Sequence, residues 1–227
     1  MAFPPLTVFP ERVYSGFIVK RHQVIRRAVI AMLGVVLASL LTNRALVKAR
    51  VLRLAYREGD IIFQSLPRCD LVDAIEGATG SEWSHCGVIM QEDGAWVVYE
   101  ALGDVHHTPI ADWVVRGRNN GRFEVYRLAP GLTFDVEQLR HHLKLFWGKP
   151  YDIHYAPDDS AIYCSELIYK AYDRAAGIPI GEWQALGSLD WKRFEAFILT
   201  IEPAVPLDRL MITPVALTRS ERVKRVF

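Results

Sequence analysis

The sequence predicts an α+β fold, an antiparallel sheet packed against helices and preceded by an N-terminal hydrophobic and basic helix. Three observations carry this reading. Short β-rich runs between turn residues fill the middle of the chain, and two runs with the helical apolar period follow them. The stretch from Arg12 to Arg57 holds no Asp or Glu but many Lys and Arg around an uncharged apolar run. At 227 residues there is room for one ordinary domain and an appendage. Apolar residues make up 51% and charged ones 23%, which excludes a disordered or collagen-like chain. A formal net charge of +1 leaves no global field toward nucleic acid, so nucleic-acid binding is not expected.

The first element is the uncharged run 28–41, with Lys20, Arg21, Arg26 and Arg27 before it and Arg44, Lys48, Arg50, Arg53 and Arg57 after it. Its roughly fourteen residues span about 21 Å as a helix, short of the roughly 30 Å hydrocarbon core. That length suits the apolar region of an export signal, and the missing acids suit a helix lying on anionic headgroups; a helix packed on the domain is the third reading. Membrane association through residues 20–57 and a cell-envelope location follow from the first two, a cytoplasmic location from the third. Residues 1–57 are therefore read as a basic N-terminal segment and 58–227 as the domain that carries the chemistry.

Acids return at Glu58, and 59–64 reads as a strand entered from a turn. Runs 84–91 and 95–101 read as two strands joined through Asp93-Gly94, a favoured two-residue hairpin turn. That register puts Gly87 opposite Glu100, with His85 diagonal to Glu100 on the same face, within reach of an imidazole–carboxylate contact. Alternation sends Cys86 to the other face, as a small core residue. A strand over 123–128 follows, then a helix from Phe134 to about Trp147 capped by Thr133 or Asp135, and a helix from Cys164 to about Ala176 stopped by Gly177 and Pro179.

With three cysteines and no CxxC spacing, neither a disulfide framework nor a zinc ribbon is written here. Cys69 lies in an irregular segment with no base nearby in sequence. Cys164 opens a helix, where unpaired N–H groups and the dipole stabilise a thiolate and a free amide can hold an oxyanion. Together with His85 and Glu100 it makes the nucleophile, base and orienter set of cysteine hydrolases. Adjacent pairs His106-His107 and His141-His142 lack the i, i+4 spacing of a helical metal site, and no GxGxxG or GxxxxGK[ST] loop occurs, so neither metal nor cofactor is expected.

Five pieces in order, Gly59-Asp60-Ile61-Ile62-Phe63, Ser84-His85-Cys86-Gly87-Val88, Val98-Tyr99-Glu100-Ala101, Gly148-Lys149-Pro150-Tyr151-Asp152 and Tyr163-Cys164-Ser165-Glu166-Leu167-Ile168, resemble the YiiX-like branch of the permuted papain-like NlpC superfamily. Ile212-Thr213-Pro214 is also family-like, and residues 1–57 lie outside the resemblance. It implies a circularly permuted papain-like fold, with the His-bearing sheet ahead of the Cys-bearing helix. It also implies thiol acyl chemistry with Cys164 as nucleophile, His85 as base and Glu100 as orienter, on an amide- or ester-containing small molecule or peptide such as a cell-wall peptide or an acylated amino acid. Tyr151 and Tyr163 are candidates for an oxyanion donor or for the pocket wall, and Asp152 and Glu166 for a cationic substrate group; each also has a purely structural reading. Trp147, Trp183 and Trp191 are open between pocket wall and core. The rivals are an acyltransferase of the lecithin:retinol type, sharing every catalytic residue, and a membrane-attached binding module with an idle thiol.

Overall fold

The computed structural model describes residues 12–156 and 158–227, and within the first helix the backbone alone at 12–25, 27 and 28. Residues 1–11 of the basic segment and the side chains of Lys20, Arg21, Arg27 and Ala28 thus lie outside the described residues. Helix α1 runs over Arg12–Val51, well beyond the uncharged run. Its part Val29–Val51, 23 residues holding an 18-residue window of mean hydropathy 1.9, is long and apolar enough to cross a membrane. The shorter span expected from sequence counted only residues before the first flanking charge; a helix continues through Arg44 and Lys48, whose long stems let the charged ends reach away from the apolar face. By its contacts the chain divides at Leu46/Val47. Val51 and Tyr56 are buried core residues of the second unit, which therefore begins upstream of Glu58.

The second unit is built on a six-stranded antiparallel sheet in the order β4-β3-β2-β1-β5-β8, with β1 Asp60–Gln64, β2 His85–Glu92, β3 Ala95–Leu102, β4 Asp104–Pro109, β5 Phe123–Leu128 and β8 Val223–Arg225. The hairpin pairs Glu92 with Ala95 through Val88 with Tyr99, the predicted register. Its turn holds Asp93 at φ 49° and Gly94 at φ 77°, the two left-handed residues a tight hairpin needs. Gly87 is required for another reason, since a methyl there would lie 2.6 Å from the Tyr99 carbonyl oxygen. β3 can approach β2 closely only because that side chain is absent.

Both sheet faces are covered, which is why every residue of β1 is buried. One face carries Phe63, Cys86, Val88 and Tyr99 against helices α5 (Val136–Lys144) and α6 (Cys164–Ala176). Asp135 caps α5 by accepting from Glu137 N and Gln138 N, and Gly177 ends α6 at φ 65°, as expected. The other face carries Ile62, Ile89 and Val98 against α3 (Ile110–Arg116), which supplies Ile110, Trp113 and Val114. A short kinked turn α4, Arg118–Gly121, in which Asn119 and Asn120 are left-handed at φ 56° and 58°, leads on to β5.

A smaller layer flanks the start of α6. It comprises α2 (Asp70–Thr79), the ribbon of β6 (Gln184–Ala185) and β7 (Leu210–Met211), a 3-10 turn at Lys192–Phe194, α7 (Glu195–Ile201) and α8 (Pro214–Thr218). No residue of α7 is fully buried although the helix reads Phe197, Ile198 and Ile201 along one side, which leaves that side lining a cleft.

Candidate active site

His85 opens β2 and Glu100 lies near the end of β3, and their side chains meet on the α3 side of the sheet at 2.5 Å, Nε2 to Oε2. Both are buried. Glu100 is held from three further directions: Trp113 Nε1 donates to Oε2 at 2.9 Å, Arg116 Nη2 to the same oxygen at 2.5 Å, and Thr108 Oγ1 to Oε1 at 2.6 Å. The Trp113 indole also stacks on the imidazole, with centroids 5.7 Å apart and 26° between planes. Burial would raise the Glu100 carboxyl, but the bond and charge of His85, followed by Arg116, bring it down to about 2. An ionised carboxylate only accepts, so His85 carries its proton on Nε2 and turns Nδ1 to its other partner.

That partner is Cys164, the first residue of α6 and 2% exposed. Cys86 and His85 beside it hold its thiol well below the ordinary thiol range, against the opposing effect of burial. Burial pulls His85 down, yet the bonds to Cys164 and Glu100 outweigh it and hold the imidazole at about 9. Both shifts run toward the thiolate–imidazolium form of the pair. Cys86 is a buried residue on the face opposite His85, as the strand alternation predicts. That face is the one α6 packs on, so the second thiol touches the first instead of lying apart from the site; burial pushes its own pKa up.

Cys164 forms part of the wall of a cavity of about 100 Å³. Its other walls are almost wholly apolar: Leu71, Ala74 and Ile75 of α2, Trp191 and Phe194, and Phe197 and Ile198 of α7. Tyr151 and Tyr163 line this cavity. The Tyr163 hydroxyl accepts from Ile212 N at 3.0 Å, and the Tyr155 ring lies 4.5 Å from that of Tyr163 between centroids. Asp152 and Glu166 do not line it and have other work, unlike the cation site read from sequence. Asp152 accepts from His154 N at 2.9 Å and Ala156 N at 2.5 Å, closing the turn that carries Tyr155 at φ 53°. Glu166 is buried, 2.6 Å from Lys170 Nζ and 3.5 Å from Tyr163 N; burial pushes it up to about 7 despite the lysine. Of the three tryptophans, Trp191 lines the cavity, Trp183 packs on Tyr169, and Trp147 is largely exposed.

Sequence reasoning missed Thr108, Trp113 and Arg116, which come from a strand and a short helix it did not predict, and Tyr155. A Thr-x4-Trp-x2-Arg spacing across a strand–helix junction was the available signal, but only the fold makes those residues converge on one carboxylate.

A family model described as permuted papain-like amidase enzyme, YaeF/YiiX, C92 family, matches residues 55–227. The uncharacterized protein YiiX of Escherichia coli K12 is 34% identical over 162 residues, 70% of this chain and 79% of that protein. The crystal structure of metalloprotein yiiX from Escherichia coli O157:H7 superposes with a TM-score of 0.69 at 33% identity, covering 75% of this chain and 96% of that one. Among the described residues no group of three or more His, Cys, Asp or Glu side chains is placed to hold a metal ion.

Proposed function

The chain belongs to the family of permuted papain-like amidases, and we propose that it is a thiol hydrolase that cleaves an amide bond through an acyl-thioester on Cys164. His85 is the general base and Glu100 orients the imidazole. The observation that carries this is the buried string Cys164–His85–Glu100 ending in an apolar cavity. The thiolate attacks the carbonyl carbon. The oxyanion is received by the unpaired backbone N–H at the start of α6, with Tyr151 as the second candidate donor. The imidazolium gives its proton to the leaving amine, then takes one from a water that attacks the thioester, releasing the acid and restoring the ion pair.

Between a cell-wall peptide and an acylated amino acid, the cavity favours the second. A peptide of polar and charged residues would lose water here and find almost no partners, whereas an acyl chain gains about 0.8 kcal/mol for each methylene buried. On N-acyl amino acids, kcat/KM should rise about fourfold per added methylene until the cavity is full. Flat chain-length dependence, or preferential cleavage of cell-wall peptides, would overturn the substrate class. Adding acceptor amines or alcohols to the same assay separates hydrolysis from acyl transfer.

Attachment to a membrane through residues 20–57 is part of the proposal, supported by the apolar length of Val29–Val51 and the basic residues around it. The full chain should sediment with membranes and resist high salt, while a chain lacking residues 1–46 should stay in the supernatant. A full chain that remains soluble in the cell lysate contradicts it.

A further inference from the structure

We propose that Arg116 is a positioning residue of this reaction, the permanent cation that makes the buried cluster of Glu100, His85 and Cys164 electrically neutral in its reactive ion-pair form. The inference rests on the thiol mechanism above and adds a residue to it. Glu100 is fully buried, and its Oε2 receives three donors: His85, Trp113 and Arg116. Two of those are already required by the orienting role. The third brings a guanidinium from the last turn of α3, 30% exposed, to 2.5 Å from the carboxylate. A neutral donor would have satisfied the oxygen equally, so the additional quantity supplied here is charge.

The charges explain why it is needed. With the thiolate and the imidazolium formed, the site holds Cys164 and Glu100 as anions and His85 and Arg116 as cations. Without Arg116, making the thiolate would leave two buried anions against one cation, an arrangement that low-dielectric surroundings penalise. Two responses are open, and both move Cys164 the same way. If Glu100 stays ionised, its uncompensated charge opposes the thiolate; if it takes a proton, the imidazolium loses its counter-ion and no longer supports the thiolate. Arg116 also keeps Glu100 an obligate acceptor, which fixes the proton of His85 on Nε2 and leaves Nδ1 for the thiol.

The other groups facing the cluster do not supply this charge. His106 of β4 lies 3.6 Å from Glu100 Oε1, but its Nδ1 is bound at 2.8 Å by the Asp104 carboxylate, so it comes with its own counter-ion. Thr108 and Trp113 are neutral donors, Gln64 of β1, paired with His85 in register, is uncharged, and Cys86 meets the thiol as a neutral neighbour.

The test follows the rate of iodoacetamide alkylation at Cys164 in the full chain as pH is varied, with the site located by mass spectrometry, so that no substrate need be known. In the unsubstituted protein the acid limb should lie well below the ordinary thiol range. In Arg116→Gln it should move up by about one pH unit, and in Arg116→Lys it should return most of the way. An unmoved limb in Arg116→Gln, whatever its melting temperature, overturns the proposal, as does equal displacement in Arg116→Lys. Should Arg116→Gln not fold, the same decision rests on Arg116→Met, an uncharged side chain with a similar stem, whose limb must move up, and on Arg116→Lys, whose limb must lie within about half a pH unit of the unsubstituted protein. An ordinary thiol profile in the unsubstituted protein would instead overturn the thiol mechanism itself.

Discussion

Cys164→Ala will lose turnover by at least about 10⁴-fold and keep its fold. The acyl-thioester needs a nucleophile at the start of α6, and no neighbour can substitute. Cys86 touches the same thiol but is wholly buried and held protonated by that burial, and Ser165 spends its hydroxyl on the Ile212 carbonyl at 2.8 Å. The structural cost should be small, because alanine is a good helix former and the side chain shrinks by one atom in a site that opens on a cavity. The loss therefore belongs to the chemistry and not to stability. Turnover of an N-acyl amino acid, read beside a thermal melt, checks both halves. A folded variant that still hydrolyses its substrate removes Cys164 from the mechanism.

How far the site could be read beforehand depends on how local each determinant is. The hairpin register was legible because Asp93-Gly94 permits one tight turn, and that turn decides which side chains share a face with His85. The ends of α6 were legible from Gly177 and from the onset of an apolar period at Cys164. β4 was not: Asp104–Pro109 holds two histidines, an Asp and a Pro, with little β-forming character, and pairs because β3 offers it an edge. Without β4 and the seven-residue α3 behind it, the clamp on Glu100 could not be foreseen, since Thr108, Trp113 and Arg116 gain their meaning only from long-range pairing. The alternation that sent Cys86 away from His85 was correct. Its consequence was missed, because the position of α6 on that face is a tertiary fact. The cavity has the same character: Trp191, Phe194 and Phe197 look like scattered apolar residues until α2 is folded against them.

Trp113→Ala is the substitution with the largest expected effect on stability, a loss of about 3–5 kcal/mol. The indole is fully buried in the cluster between α3 and the sheet. Its removal also takes the stacking surface from His85 and one donor from an ionised carboxylate that cannot reach water. Activity should therefore fall along with the denaturation midpoint, and Trp113→Phe separates the two causes. Phenylalanine restores most of the packing, so the midpoint should recover in part. The charge-assisted bond to Glu100, worth about 1.5–3 kcal/mol, stays lost, and the orientation of His85 with it. Stability partly restored while kcat stays as low as in Trp113→Ala is the expected pattern in Trp113→Phe. If both recover together, the indole N–H contributes nothing to orientation, and Trp113 serves the site only as the wall against which the imidazole rests.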